Sequence, residues 1–191
     1  LSLVGSEMCI RDRRTTVAQF GQHEHVEVRQ GSGLKVLSSG EADCIAIAGM
    51  GASTIISILE DDMEVAQSAE LLVLQPMAGA ASLRAWLCSH GWQLAAEELV
   101  DDAPHFYEII AAKRGSAPAY SAAECAVGPL LLEQKHPLLG KQLERQLATC
   151  RQLLENMGRS ERARASEKYK EIEALKAELE VLQNGKRSDS K

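Results

Sequence analysis

Two short apolar runs, CIAIAG (44–49) and ELLVLQP (70–76), constrain this chain most, because each ends at glycine or proline and leads into helical spacing. Near-continuous runs of this length suit strands buried on both faces. After the first, Ile55, Ile56 and Leu59 recur at helical spacing until EDDME ends the element. After the second, SLRAWLCSHG sets Leu83, Trp86 and Leu87 on one face, with Gly91 as the stop. Strands alternating with helices predict a parallel, doubly wound α/β sheet with right-handed crossovers. WQLAAEELV and HFYEIIAAKRG, joined by DDAP, add an antiparallel strand pair at its edge. Upstream, TTVAQFGQ (15–22) reads as the end of a helix. HVEVRQGSGL (25–34) reads as a strand broken at Gly31-Ser32-Gly33.

The second half is organised differently. Residues 116–136 are rich in small side chains and read as a linker. From Pro137, Leu143, Leu147, Cys150, Leu154 and Met157 are spaced 4-3-4-3, and Ile172, Leu175, Leu179 and Leu182 continue at 3-4-3. Two seamed helices with a polar break predict a helical coiled-coil hairpin over 137–184, followed by a disordered tail, 185–191. Charge divides the same way. Residues 1–136 carry 9 basic and 18 acidic side chains, and residues 137–191 carry 12 basic and 9 acidic. A basic hairpin on an acidic body can hold phosphates, although a solvated helical surface has the same composition.

Residues 1–13, LSLVGSEMCIRDR, have neither signal-peptide character nor an amphipathic pattern. They resemble a translated sequencing adapter, so the domain is expected to start at residue 14 and to run to 115. No apolar run approaches the ~20 residues of a membrane span. The five cysteines lack CxxC pairing and the histidines lack ligand spacing, which predicts reduced thiols in the cytoplasm and no metal.

Neither glycine loop matches a nucleotide-triphosphate motif, because no lysine follows. Gly49-Met50-Gly51 lacks the third glycine of a dinucleotide fingerprint. From spacing alone, a ligand-binding turn and a purely conformational turn both remain open. The combination RQGSGL, IAGMG, LQP, LRAWL and YEI, in unbroken order from about Arg14 to Gly115, resembles the bacterial tRNA adenine-N1-methyltransferases of the TrmK type.

That resemblance implies a Rossmann-like class I methyltransferase sheet and S-adenosyl-L-methionine as methyl donor. It also implies N1 of adenine 22, in the D-loop region of tRNA, as acceptor. Gly31, Ser32, Gly33 and Leu34 would border the cofactor's adenine; Ala48, Gly49, Met50 and Gly51 would border its methionine end and the incoming base. Gln75, Pro76, Tyr107 and Glu108 are candidates for substrate contact, with Gln75 or a carbonyl near Ala48-Gly49 orienting the adenine amino group. Arg159, Arg162 and Arg164 are candidates for tRNA. Arg84 is expected to be an exposed helix arginine. Ser32 and Met77 depart from the family's acidic residue and from its Q-P-N. The family's first strand with its glycine loop is expected to be absent, so that this polypeptide alone binds the cofactor poorly and is inactive. A non-catalytic RNA-binding module on a degenerate fold is the alternative, and a nicotinamide-dependent oxidoreductase a more remote one.

Overall fold

The computed structural model describes residues 2–5 and 7–188, with side-chain surroundings for 10–185. The chain opens with β1 (Ser2–Gly5), α1 (Glu7–Gln19) and β2 (Glu27–Gln30), β1 and β2 forming a parallel pair. The main sheet follows as β3 (Cys44–Gly51), β4 (Leu71–Ala78), β5 (Trp92–Asp102) and β6 (His105–Arg114), in the order β3-β4-β6-β5. Between its strands lie α2 (Ala52–Asp61), α3 (Met63–Ser68) and α4 (Ala80–Ser89). β3 and β4 are parallel, while β6 runs antiparallel to both β4 and β5. The expected α/β alternation and terminal hairpin are therefore present. The segment set aside as 1–13 carries β1 and the start of α1, and Ile10 is buried.

The sheet is covered on one face. Ile45, Ile47, Leu72, Leu74, Ile110 and Ala112 form one core with Ile55, Leu59, Leu83 and Leu87 of α2 and α4. On the opposite face Cys44, Ala46 and Ala48 are exposed. This corrects the reading of CIAIAG as buried on both sides. Small alanines score as apolar yet present little surface, so hydropathy alone cannot separate a covered face from an open one.

A bulge at Ala95 shifts the β5 register between Leu94 and Ala96. Trp92 and Leu94 face the core before it; Glu97 and Leu99 face it after. Strict alternation would have placed Ala96 and Glu98 inside instead. Glu97 is buried as a result, and beside it lies Arg84 of α4, wholly buried rather than exposed as expected. Arg84 Nε donates to Glu97 Oε1 at 2.5 Å, and its Nη1 donates to the Cys125 carbonyl at 2.9 Å. Its Nη2 forms an ion pair at 2.9 Å with Glu108 Oε2.

Residues 116–136 are not a linker. They hold α5 (Ala122–Val127) and α6 (Pro129–Glu133). Ser121 and Glu124 form a reciprocal capping box, and Ala, Cys and Val bury the helix. Alanine, read as linker composition, is also the best helix former. Burial pushes the Cys88, Cys125 and Cys150 thiols up from their ordinary value, away from reactive thiolate. Beyond them, α7 (Leu139–Gly158), α8 (Glu161–Arg164) and α9 (Glu167–Ser188) complete the chain. The seam residues Leu143, Leu147, Cys150, Ile172 and Leu179 share a second core with Val127, Leu131 and Leu99. The segment from 185, expected to be disordered, continues α9 to Ser188; residues 189–191 lie outside those described.

Arg84→Met would strand the buried carboxylate of Glu97 and the half-buried one of Glu108, and removing one partner of a buried pair costs about 3–5 kcal/mol. Urea unfolding should show a loss of that order. A loss below about 1 kcal/mol, the scale of a surface ion pair, would show that the cluster is not a structural tie.

Candidate active site

The C-terminal ends of β3 and β4 stand side by side, where open α/β sheets bind ligands. The ladder pairs Ala48 with Gln75 and then Met50 with Pro76, so Gly49 bulges out without a ladder partner. Gly49 takes φ +76°, a conformation glycine adopts at little cost, and a Cβ there would meet nothing within 4 Å. Its amide N–H donates to Gln75 Oε1 at 2.8 Å.

Gly51 is more informative. Its φ is −68°, open to any residue, and the nearest atom to an added Cβ is Ser53 Oγ at 4.0 Å. Neither backbone conformation nor packing within the chain requires glycine at this position. The space beside it is free for a group from outside, as a bound cofactor or base would demand. Met50 and Met77, both exposed, flank this space with soft apolar side chains. At Gly79, after β4, an added Cβ would fall 3.0 Å from the Ala52 Cβ, so the loop after β4 packs closely on the start of α2.

The other cofactor candidates lie along α2. Gly31 has a packing reason to be glycine, since a Cβ would fall 2.1 Å from Val36 Cγ1. Gly33 rests on Ile58 of α2, and Leu34 is buried in the main core. Ser32 is exposed at the head of this turn. Arg29 braces the turn by donating to the Val36 carbonyl and pairing with Glu27 and Glu41. Those contacts hold both carboxyls below their ordinary value, Glu27 through its hydrogen bond from Arg29 and Glu41 through the Ser38 amide and then Arg29. Ile58 is seven residues beyond Gly51, about 10 Å along a helix. The Gly33 turn thus packs on α2, and Gly51 caps the N-terminus of the same helix.

The remaining candidates divide. Because β6 is antiparallel to β4, its first residues reach the same end of the sheet. Tyr107 is half-buried there, 5.8 Å from the His105 ring. Glu108 points to the opposite face and pairs with Arg84, so its carboxylate is engaged in the fold. Pro76 is buried. Arg159, Arg162 and Arg164 are exposed around α8, in the connection between α7 and α9. The bulge at Ala95 hides from sequence reading the buried cluster around Glu97. Lys141 and Arg145, which face the Phe106 ring, carried no local motif either.

The sequence model of TrmK, tRNA (adenine(22)-N(1))-methyltransferase, matches residues 10–184. The chain belongs to the TrmK family. Residues 10–13, set aside with the opening segment, lie inside the match, and residues 1–9 lie outside it. A TrmK enzyme of Bacillus subtilis (strain 168), tRNA (adenine(22)-N(1))-methyltransferase, is 32% identical over 171 residues, covering 87% of this chain and 71% of the relative. The crystal structure of the B. subtilis M1A22 tRNA methyltransferase TrmK superposes with a TM-score of 0.81 at 27% identity, covering 95% of this chain and 80% of that one. A Streptococcus pneumoniae protein solved in complex with S-adenosyl-L-methionine gives 0.78 at 25% identity, over 95% and 79%. The fold is the Rossmann-like methyltransferase fold. The TrmK activity is methyl transfer from S-adenosyl-L-methionine to N1 of adenine 22 in tRNA.

Substitution at the two glycines separates fold from site. Gly51→Val is expected to keep the melting temperature while abolishing the response of neighbouring amide signals to millimolar S-adenosylhomocysteine. Gly49→Val places a β-branched residue at positive φ and is expected to lose both, at a strain of about 1–3 kcal/mol. An unchanged response in Gly51→Val would move the cofactor site elsewhere.

Proposed function

We propose that the β3–β4 ends of this chain hold the reacting groups and that the helical hairpin holds the tRNA body. The open space beside Gly51 is the observation that carries the first half. S-adenosyl-L-methionine, when bound, supplies a methyl group already activated on a sulfonium. Adenine N1 presents a lone pair and needs no proton removed, so the protein's task is alignment rather than base catalysis. That fits a site whose described residues gather glycines, an amide and methionines. In this reading Gly31–Leu34 border the adenosine end, with Ser32 as a neutral hydrogen-bonding group. Ala48–Gly51 border the methyl-bearing end and the target base. Tyr107 supplies a ring at the mouth of the site.

The second half rests on direction. β5 ends at the same end of the sheet as β3 and β4. Along it Glu98 meets His136 and Asp101 meets Lys141, so α7 runs in the sense of β5. His136, with the Leu99 amide, holds the Glu98 carboxyl below its ordinary value. Lys141 and Arg145 lie over Phe106, near the β5–β6 tip. From Arg145 to Gly158 the helix continues for about 20 Å past that anchor. The hairpin therefore projects beyond the substrate end of the sheet. Arg159, Arg162 and Arg164 stand at its tip, where a polynucleotide entering the site passes. Arg159 is paired only to exposed Glu155 at 3.7 Å, a contact that phosphate can displace. Among the described residues no helix is long and apolar enough to cross a membrane. Because the family acts on tRNA, we place the protein in the cytoplasm.

Charge reversal at Arg159, Arg162 and Arg164 together is expected to weaken tRNA binding. It should also flatten the dependence of log affinity on log salt by about two to three units, one or slightly less per phosphate contact. Unchanged affinity with an unchanged slope would leave the hairpin structural and shift the RNA surface to the sheet.

A further inference from the structure

We infer that Gln75 is a positioning residue, acting through the Gly49 peptide rather than by touching the base. The inference rests on the reading of the β3–β4 ends as the methyl-transfer site. Three observations lead to it. The ladder between β3 and β4 slips at Gly49, which leaves that residue outside the regular pairing. The next position on β4 is Pro76, which has no N–H to donate, and the pairing goes on only irregularly there, Met50 with Pro76 and then Gly51 with Ala78. Into this gap the Gln75 side chain turns along the strand, and its Oε1 accepts the Gly49 N–H at 2.8 Å. The amide's orientation follows from the partner, because an N–H donor requires the oxygen and not the NH₂ to face it. The NH₂ end has only a sulfur contact, Nε2 to Met77 Sδ at 3.6 Å.

The consequence is specific. Gly49 holds φ +76° next to Gly51, whose surroundings are open. A bulged glycine in open space has no side-chain packing to fix it, so one hydrogen bond sets the direction of its peptide. Gln75 Oε1 is thereby engaged in the protein, and the acceptor for the adenine amino group is sought among the backbone carbonyls of Ala48 to Met50. The Q of LQP and the first G of IAGMG form one device, a side chain substituting for a missing ladder bond.

Two variants of the full chain test this. Glutamate at 75 keeps an acceptor of the same length, whereas leucine keeps the bulk and removes it. Hydrogen exchange of the Gly49 amide, read by NMR, should be unchanged in Gln75→Glu and about tenfold faster in Gln75→Leu, the loss of one net hydrogen bond. Millimolar adenosine and S-adenosylhomocysteine should shift the Gly49–Gly51 signals in wild type and Gln75→Glu, and less in Gln75→Leu. Equal exchange in wild type and Gln75→Leu would overturn the tie. If Gln75→Glu keeps the protection but loses the adenosine response, Gln75 touches the base and the positioning role fails. Protection behaving as expected, with no response of these signals in wild type, would leave the tie standing and remove the site reading beneath it.

Discussion

A wholly buried arginine joins the two halves of this protein. Arg84 of α4 reaches β5 through Glu97 and β6 through Glu108, and it takes the Cys125 carbonyl at the end of α5. Glu97 in turn accepts the Leu130 N–H at the start of α6 at 2.8 Å. One guanidinium and one carboxylate thus satisfy orphan groups at two helix termini while fixing both helices to the sheet. Charges out of water are costly unless so paired, which ties the cluster's geometry to the docking of the helical half. That docking seats α5 and α6, whose Val127 and Leu131 share a core with Leu99 and with Leu143 and Leu147 of α7, and so it supports the direction in which the hairpin leaves the sheet.

The site itself is built from absence of side chains. Gly49 is bent outward by a bulge, and Gly51 leaves space that the chain does not fill. From Gly49 and Pro76 onward the pairing between the parallel strands is irregular, and Pro76 has no N–H to give to it. A ring-nitrogen nucleophile needs placement and shielding more than acid–base help, and the constellation has that character. In the proposed reading these loop glycines leave room for ligands at the ends of the two parallel strands.

Element types were largely legible, because β3, β4, α2 and α4 show strong periodicity and end in glycine or proline. The seam of α7 and α9 was legible for the same reason. The covered face of β3 was not, since Ala46 and Ala48 look apolar in either environment. Arg84 and Glu97 were missed because a single inserted residue, Ala95, reverses which side chains of β5 point inward. α5 was missed because alanine serves both linkers and helices. Of the site, Gly49 and Gly51 stood in a visible motif, yet spacing could not say which of them is required by conformation. The backbone angles decide that, and they leave only Gly51 without an internal reason. Glu108, in YEI, shares the inner face of β6 with Ile110 and Ala112, and its pairing with Arg84 was not legible because Arg84 read as an exposed helix residue.

The claim that one polynucleotide spans the hairpin tip and the β3–β4 ends is tested most directly by hydrogen–deuterium exchange of the chain with tRNA carrying unmethylated adenine 22. Slower exchange is expected in two separated stretches on adding tRNA, around Arg159–Arg164 and around Ala48–Gly51. Protection confined to the opposite end of the sheet, around Gly91 and Arg114, would contradict it.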